Sequence, residues 1–219
     1  MKKTLVLIMA VLSIQIAKAG LITAESYDML NGDVGSYSYW DESYNGSGNV
    51  GVSRSILTGG TGDLTDGIIA SGWWGAVEPG DGRLGAQTGD NGPYVGWLNY
   101  NPFITFNFTQ VYNITKAIFY VDNSINVGGV GGPRGVSFNG MTELLNPITR
   151  VNNTTAALSF DLNITSDQLT AEIFRTNAWV FISEVQFEGT AVNVPSPETF
   201  SLLMLGVLGL FAGRRKQSR

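Results

Sequence analysis

Residues 103–108 read Phe-Ile-Thr-Phe-Asn-Phe, which puts Ile104, Phe106 and Phe108 on one side of an extended chain and Thr105 and Asn107 on the other. A two-residue period of this kind cannot supply the apolar stripe of a helix, so it commits the segment to a half-buried strand. Between residues 20 and 194 such alternation is common and helical periodicity is scarce. Segments 114–121, 135–138, 157–162 and 169–175 are further strand candidates. In segment 179–187 one face collects Trp179, Phe181, Val185 and Phe187, which leaves Glu184 on the other side with no need to be buried. Twenty-eight glycines and frequent Asn supply turns between short strands. The expectation is an all-β chain, an antiparallel β-sandwich over residues 20–194. There is no internal repeat, and the Gly- and Asp-rich stretch 59–93 reads as long loops, too poor in apolar residues to cover a second core.

Composition removes several chemistries. The chain has no cysteine and no histidine. Disulfides, thiolate nucleophiles, zinc–thiolate sites and every His-dependent triad are therefore excluded. Residues 20–194 hold six of the 13 Lys and Arg but 17 of the 18 Asp and Glu, a net charge of −11. A body this acidic repels phosphate backbones, so nucleic acid is not an expected partner, whereas cations such as Ca²⁺ suit it.

The two ends read as addresses. Lys2 and Lys3 precede an apolar run, residues 5–16, and Ala17-Lys18-Ala19 fits the small-x-small rule of a signal peptidase site, with cleavage after Ala19. The competing reading is an N-terminal membrane anchor. At the other end, the apolar run 200–212 gives only about 20 Å of helix against a hydrocarbon core of about 30 Å. It follows Pro195-Ser196-Pro197-Glu198 and is closed by Arg214-Arg215-Lys216. A proline-punctuated prelude, a short apolar helix and a basic stop resemble the PEP-CTERM sorting signal of Gram-negative bacteria. In that family a Pro-Glu-Pro motif stands where this chain has Pro195, Ser196 and Pro197, with Ser196 replacing the middle Glu and Glu198 two places later. The resemblance implies an exosortase-type processing enzyme as partner, with the protein held transiently in the membrane by its C-terminal helix and then placed at the cell surface or in the extracellular matrix. A plain C-terminal membrane helix is the alternative.

The order of segments in the body resembles the galactose-binding-like, or discoidin, jelly-roll family. Three stretches carry this: Leu64-Thr65-Asp66-Gly67 followed by Trp73-Trp74; Trp97 followed by residues 102–108 and Tyr112-Asn113-Ile114; and residues 179–189. The resemblance implies a structural Ca²⁺ held by Asp66 and Glu184, with Ser71 a weaker candidate. Oxygen-only ligands suit this ion, though Asp66 also fits a simple turn before Gly67. It further implies a sugar site in the loops. Trp73, Trp74, Trp97, Tyr100 and Arg134 are the candidates, since sugars pack their C–H faces on aromatic rings and bond their hydroxyls to a few placed polar groups. Aromatic residues are more often packing residues, and adjacent Trp73 and Trp74 cannot both enter one core from a strand.

The expected protein is thus an exported signal-peptide–sandwich–sorting-tail chain, non-catalytic, associated with exopolysaccharide or biofilm and binding glycan through its loops. Two alternatives stand beside it. One is a purely structural or adhesive surface protein. The other is a glycoside hydrolase using a carboxylate pair drawn from Glu78, Asp81 and Asp90.

Overall fold

A computed structural model describes residues 19–78, 92–124, 127–144 and 155–192. The signal and sorting positions Ala17, Pro195, Ser196, Pro197, Glu198, Arg214 and Arg215 lie outside these residues. Ala19 is the first described residue, and it is exposed.

The described residues form the strands β1 (Gly20–Ile22), β2 (Ser26–Leu30), β3 (Ile56–Gly60), β4 (Val95–Leu98), β5 (Phe103–Asp122), β6 (Gly135–Phe138), β7 (Met141–Leu144), β8 (Thr155–Phe174) and β9 (Trp179–Ala191). One four-residue helical turn, α1 (Trp74–Val77), interrupts them. Every strand-to-strand pairing is antiparallel. The expected antiparallel all-β architecture is therefore what the chain adopts. The main path runs β1-β9-β5-β8-β6-β7, with β2 joining β3 to β5 and β4 adding to β9. Among the described residues no helix is long and apolar enough to cross a membrane.

The strands are not all short. β5 and β8 each run 20 residues, and they change partners along their length. The first part of β5 lies between β2 and β8, and the part from Tyr112 onward lies between β8 and β9. Register shifts between Asn107 and Tyr112 and between Ile114 and Lys116 make this possible. The second shift admits one extra residue of β5 against β9, so the inward parity of β5 changes there. Ile104, Phe106, Phe108 and Ile114 are buried on even numbers, then Ala117, Phe119 and Val121 on odd ones. β8 behaves alike, from Leu158, Phe160 and Ile164 to Leu169, Ala171 and Ile173.

These side chains meet in one main core. Phe106 and Phe187 rings lie 4.9 Å apart edge to face, and Phe138 and Phe160 lie 5.3 Å apart. Fully burying a side chain of this size contributes roughly 2–3 kcal/mol. A second, smaller cluster sits outside it: Tyr39, Ala70, Tyr94, Val130, Trp179 and Phe181, with Tyr37 and Trp74 packed on it. β9 separates the two. Val180 and Ile182 point into the main core, and Trp179 and Phe181 into the second. The expectation of one face holding Trp179, Phe181, Val185 and Phe187 is corrected by this. Tyr120 pairs with Glu184 and Val121 with Ile182, so Ser183 is an extra residue that flips the strand's parity. The same bulge overturns the expectation for Glu184, which is buried, with 4% of its surface exposed.

Candidate functional site

Two places gather the predicted site residues. The first is a rim of loops. Trp73 is extended (φ −68°, ψ 158°) and leads into α1, whose first N–H, that of Trp74, is taken by Asp122 Oδ2 at 2.5 Å. Asp122, at the end of β5, also accepts the Ser124 N–H, and burial raises its carboxyl above the usual range. This anchors the Trp pair. The Trp74 ring packs on Tyr37 and Phe181, and Gly128 lies so close that a Cβ there would come within 2.6 Å of the indole. Trp73 crosses Trp74 edge-on at 5.4 Å and folds over Gly75. Both indoles are half-buried. Neither sits on a strand, so their adjacency is resolved by the turn rather than by opposite sheet faces.

From Gly128 the loop runs past Val130, which bridges to Trp179, to Arg134, whose N–H bonds Phe174 O at 2.8 Å. Arg134 is exposed, with its guanidinium carbon 5.8 Å from the Phe174 ring centre. Next to Phe174, the Arg175 N–H bonds Asn101 Oδ1 at 3.2 Å. Tyr100 follows, half-buried under the Arg54 guanidinium at 5.2 Å. Arg54 is held firmly: Nε and Nη2 grip the Asp33 carboxylate at 3.0 and 3.1 Å, and Nη2 also donates to Leu98 O at 2.5 Å. Its backbone is left-handed, φ 57°, an uncommon state for a non-glycine residue. Tyr100, Arg134, Trp73 and Trp74 thus lie on connected loops, though no contact joins the Trp pair to Arg134. Trp97 does not belong here. It lies on β4 with no exposed surface, and its indole N–H donates to Leu30 O at 2.8 Å. A strand buried on both faces shows no alternation, so its sequence gave no sign that Trp97 is core. Sequence reasoning also missed Arg54, Asp33, Phe174 and Arg175, which become neighbours only through tertiary pairing.

The second place is a pocket of about 220 Å³ between β1, the 65–67 turn and β9, lined by Leu21, Thr65, Asp66, Gly67, Glu184 and Gln186 among others. It brings Asp66 and Glu184 together; Ser71 is exposed and does not line it. The Gly67 N–H donates to Glu184 Oε2 at 3.1 Å, and the Ile68 N–H to Asp66 Oδ1 at 2.7 Å. Burial pushes the Glu184 carboxyl up to about 7, against the opposing Gly67 bond. Burial also raises Asp66. The Thr65 hydroxyl is buried with no hydrogen-bond partner among the described residues. Two carboxylates and an orphan hydroxyl form an oxygen-only donor set, which fits a hard cation. Among the described residues no group of three or more His, Cys, Asp or Glu is arranged to hold a metal.

Behind the pocket, Asp41 accepts from the Tyr27 hydroxyl and from the Asp63 N–H at 3.0 Å, and Asp63 accepts from the Ser43 hydroxyl. Burial is the main cause holding both carboxyls above the usual range. Of the acids considered for glycoside hydrolysis, Glu78 is buried and accepts the Tyr94 N–H at 3.2 Å. Asp81 and Asp90 lie outside the described residues.

No protein-family model matches the chain, and no curated protein does. Among solved structures it is similar to a truncated AlyQ with CBM32 and alginate lyase domains, at 11% identity and a TM-score of 0.40, over 82% of this chain and 36% of that one. It is also similar to the CBM32 of AlyQ in complex with 4,5-unsaturated mannuronic acid, at 17% identity and a TM-score of 0.31, over 43% of this chain and 75% of that one. The family 32 CBM from C. perfringens NanJ in complex with galactose matches at 11% identity and a TM-score of 0.30, over 43% and 75% respectively. This chain therefore spans about a third of the length of the first of these.

Proposed function

We propose that this chain is a non-catalytic glycan-binding protein whose rim of loops receives a saccharide. The observation that carries the reading is the rim itself. Three half-exposed or edge-held aromatic groups follow one another along the loops and the end of β8: Trp73 with Trp74, Phe174 under Arg134, and Tyr100 under Arg54. Aromatic faces beside fixed polar donors are what a sugar's C–H face and hydroxyls require. The Asp33 grip and the Asp122 anchor keep two of these groups in place before any ligand arrives, which lowers the ordering cost of binding.

Titrating the purified chain against a panel of polysaccharides by calorimetry tests this. Trp73→Ala and Tyr100→Ala are each expected to weaken binding by about tenfold, the loss of one good contact. Far-UV circular dichroism should stay unchanged. Absence of binding to any polysaccharide would favour the purely structural or adhesive reading, and turnover of a polysaccharide would favour the hydrolase.

Two further parts belong to the proposal. The chain is exported after cleavage following Ala19, and its tail, residues 195–219, is removed by an exosortase-type enzyme at the cell surface. Mass spectrometry of the mature protein should find Gly20 as the first residue and the tail absent. Asp66 and Glu184, with the Thr65 hydroxyl, would hold a calcium ion, which would neutralise two crowded carboxylates and fix the 65–67 turn to β9. Ser71 is left out of that set.

A further inference from the structure

We infer that the saccharide taken at this rim is anionic, a chain bearing carboxylate or sulfate groups. The inference rests on the glycan-binding reading above and adds the sign of the ligand. The body holds 17 acids against six bases. Among the described residues the bases are Arg54, Lys116, Arg134 and Arg175. Lys116 is spent on Glu188, 3.7 Å away across β5 and β9. The other three lie along the rim: Arg54 over Tyr100, Arg134 over Phe174, and Arg175, next to Phe174, with its backbone N–H on Asn101.

Their states differ in a useful way. Arg54 is neutralised by Asp33, which orients the guanidinium while its Nη1 makes no hydrogen bond to a described residue. Arg134 is exposed and forms no ion pair among the described residues. Arg175 donates through Nη1 to the Asn177 and Ala178 carbonyls and makes no ion pair among the described residues, and its Nε is buried with no hydrogen-bond partner among them. Phe103, with 52% of its surface exposed, lies opposite Glu172 on the neighbouring strand. Two guanidiniums on neighbouring rim positions, neither in an ion pair among the described residues, in a protein rich in acids, match a ligand that carries planar anions. Guanidinium recognises carboxylate and sulfate by paired hydrogen bonds. The opposing group on this face is Glu172, two residues before Phe174 on β8, half-buried and in no ion pair among the described residues.

The test uses the full chain with four probes: a polyuronate, a sulfated polysaccharide, a neutral glucan and duplex DNA, each at low and at physiological salt. The expected result is that an acidic polysaccharide binds best, several-fold more weakly at physiological salt as exposed charges are screened. Which of the two acidic probes binds tighter assigns the anion. Arg134→Gln is expected to cut that affinity by about five- to tenfold and Glu172→Gln to raise it, while neither moves the melting temperature by more than about 2 °C. If the glucan binds as tightly, with no salt dependence and no response to Arg134→Gln, the inference is wrong and the rim reading survives. If DNA binds as tightly as either acidic polysaccharide, the rim is a general polyanion surface and the inference is overturned. If no saccharide binds at all, both fall together.

Discussion

Replacing Glu184 by Gln should stabilise this protein at neutral and alkaline pH in the absence of metal, and should hardly affect it in acid. Gln keeps an oxygen for the Gly67 N–H and keeps the volume, so the change isolates the charge. In the folded chain the Glu184 carboxyl titrates at about 7 rather than its ordinary 4.5, chiefly because it is buried, with Asp66 adding repulsion. At low pH the group is protonated in both the folded and the unfolded chain and costs nothing. As pH rises past 4.5 the unfolded chain releases the proton, whereas the folded chain holds it until about 7. Stability is therefore complete below 4.5 and falls through this window. The full difference amounts to about 3 kcal/mol, reached above pH 8. For a chain of this size that is a gain of about 6–12 °C in melting temperature for the Gln variant at pH 9, shrinking towards zero at pH 4.5. Thermal melts with chelator across pH 4.5–9 read it directly. If the proposed calcium ion is held by Glu184, repeating them with millimolar calcium should reverse the order, because such an ion would stabilise only the carboxylate form. A variant less stable than the parent throughout the range, with chelator present, would refute the claim that this carboxylate is held at a cost.

Three other outcomes follow from the packing. Trp97→Ala should cost about 3–5 kcal/mol, and Trp97→Phe about 1–2, since the second keeps most of the ring and loses the bond to Leu30 O; urea denaturation separates them. Gly140→Ala meets open space but must hold φ 84°, so a loss of about 1 kcal/mol is expected. Gly96→Ala has no such backbone demand, yet its Cβ would lie 2.2 Å from the Phe181 ring, so a loss of about 1–3 kcal/mol and a disturbed near-UV aromatic signal are expected.

Where alternation was strict, the sequence told the truth about the strand. The first half of β5 and all of β6 could be read from their residues. β4 could not, because Val95, Gly96 and Trp97 are buried on both sides and no period survives. β3 was hidden for the opposite reason: Leu57 is the one large side chain it buries, and two glycines end it. The polar run 163–168 looked like a break between two strands, yet it stays paired to β5 near Tyr112 and makes one strand of both. The bulge at Ser183 leaves no mark in composition, and it decides where Glu184 points. At the rim the residue types were visible in Trp73, Trp74, Tyr100 and Arg134. Arg54 was not, since its place over Tyr100 depends on Asp33 and on β4, 21 and more positions away.

β9 touches β1, β4 and β5 and is the last of the described strands. An emerging polypeptide delivers residues 179–191 late, so Gly20–Ile22 and Val95–Leu98 wait without their hydrogen-bonding mate until almost the whole body is out. Truncation before Trp179 would leave β1 and β4 without their partner and β5 bare on one side from Tyr112 onward, so a proteolysis experiment on stalled nascent chains should see protection of those segments begin only once β9 has emerged.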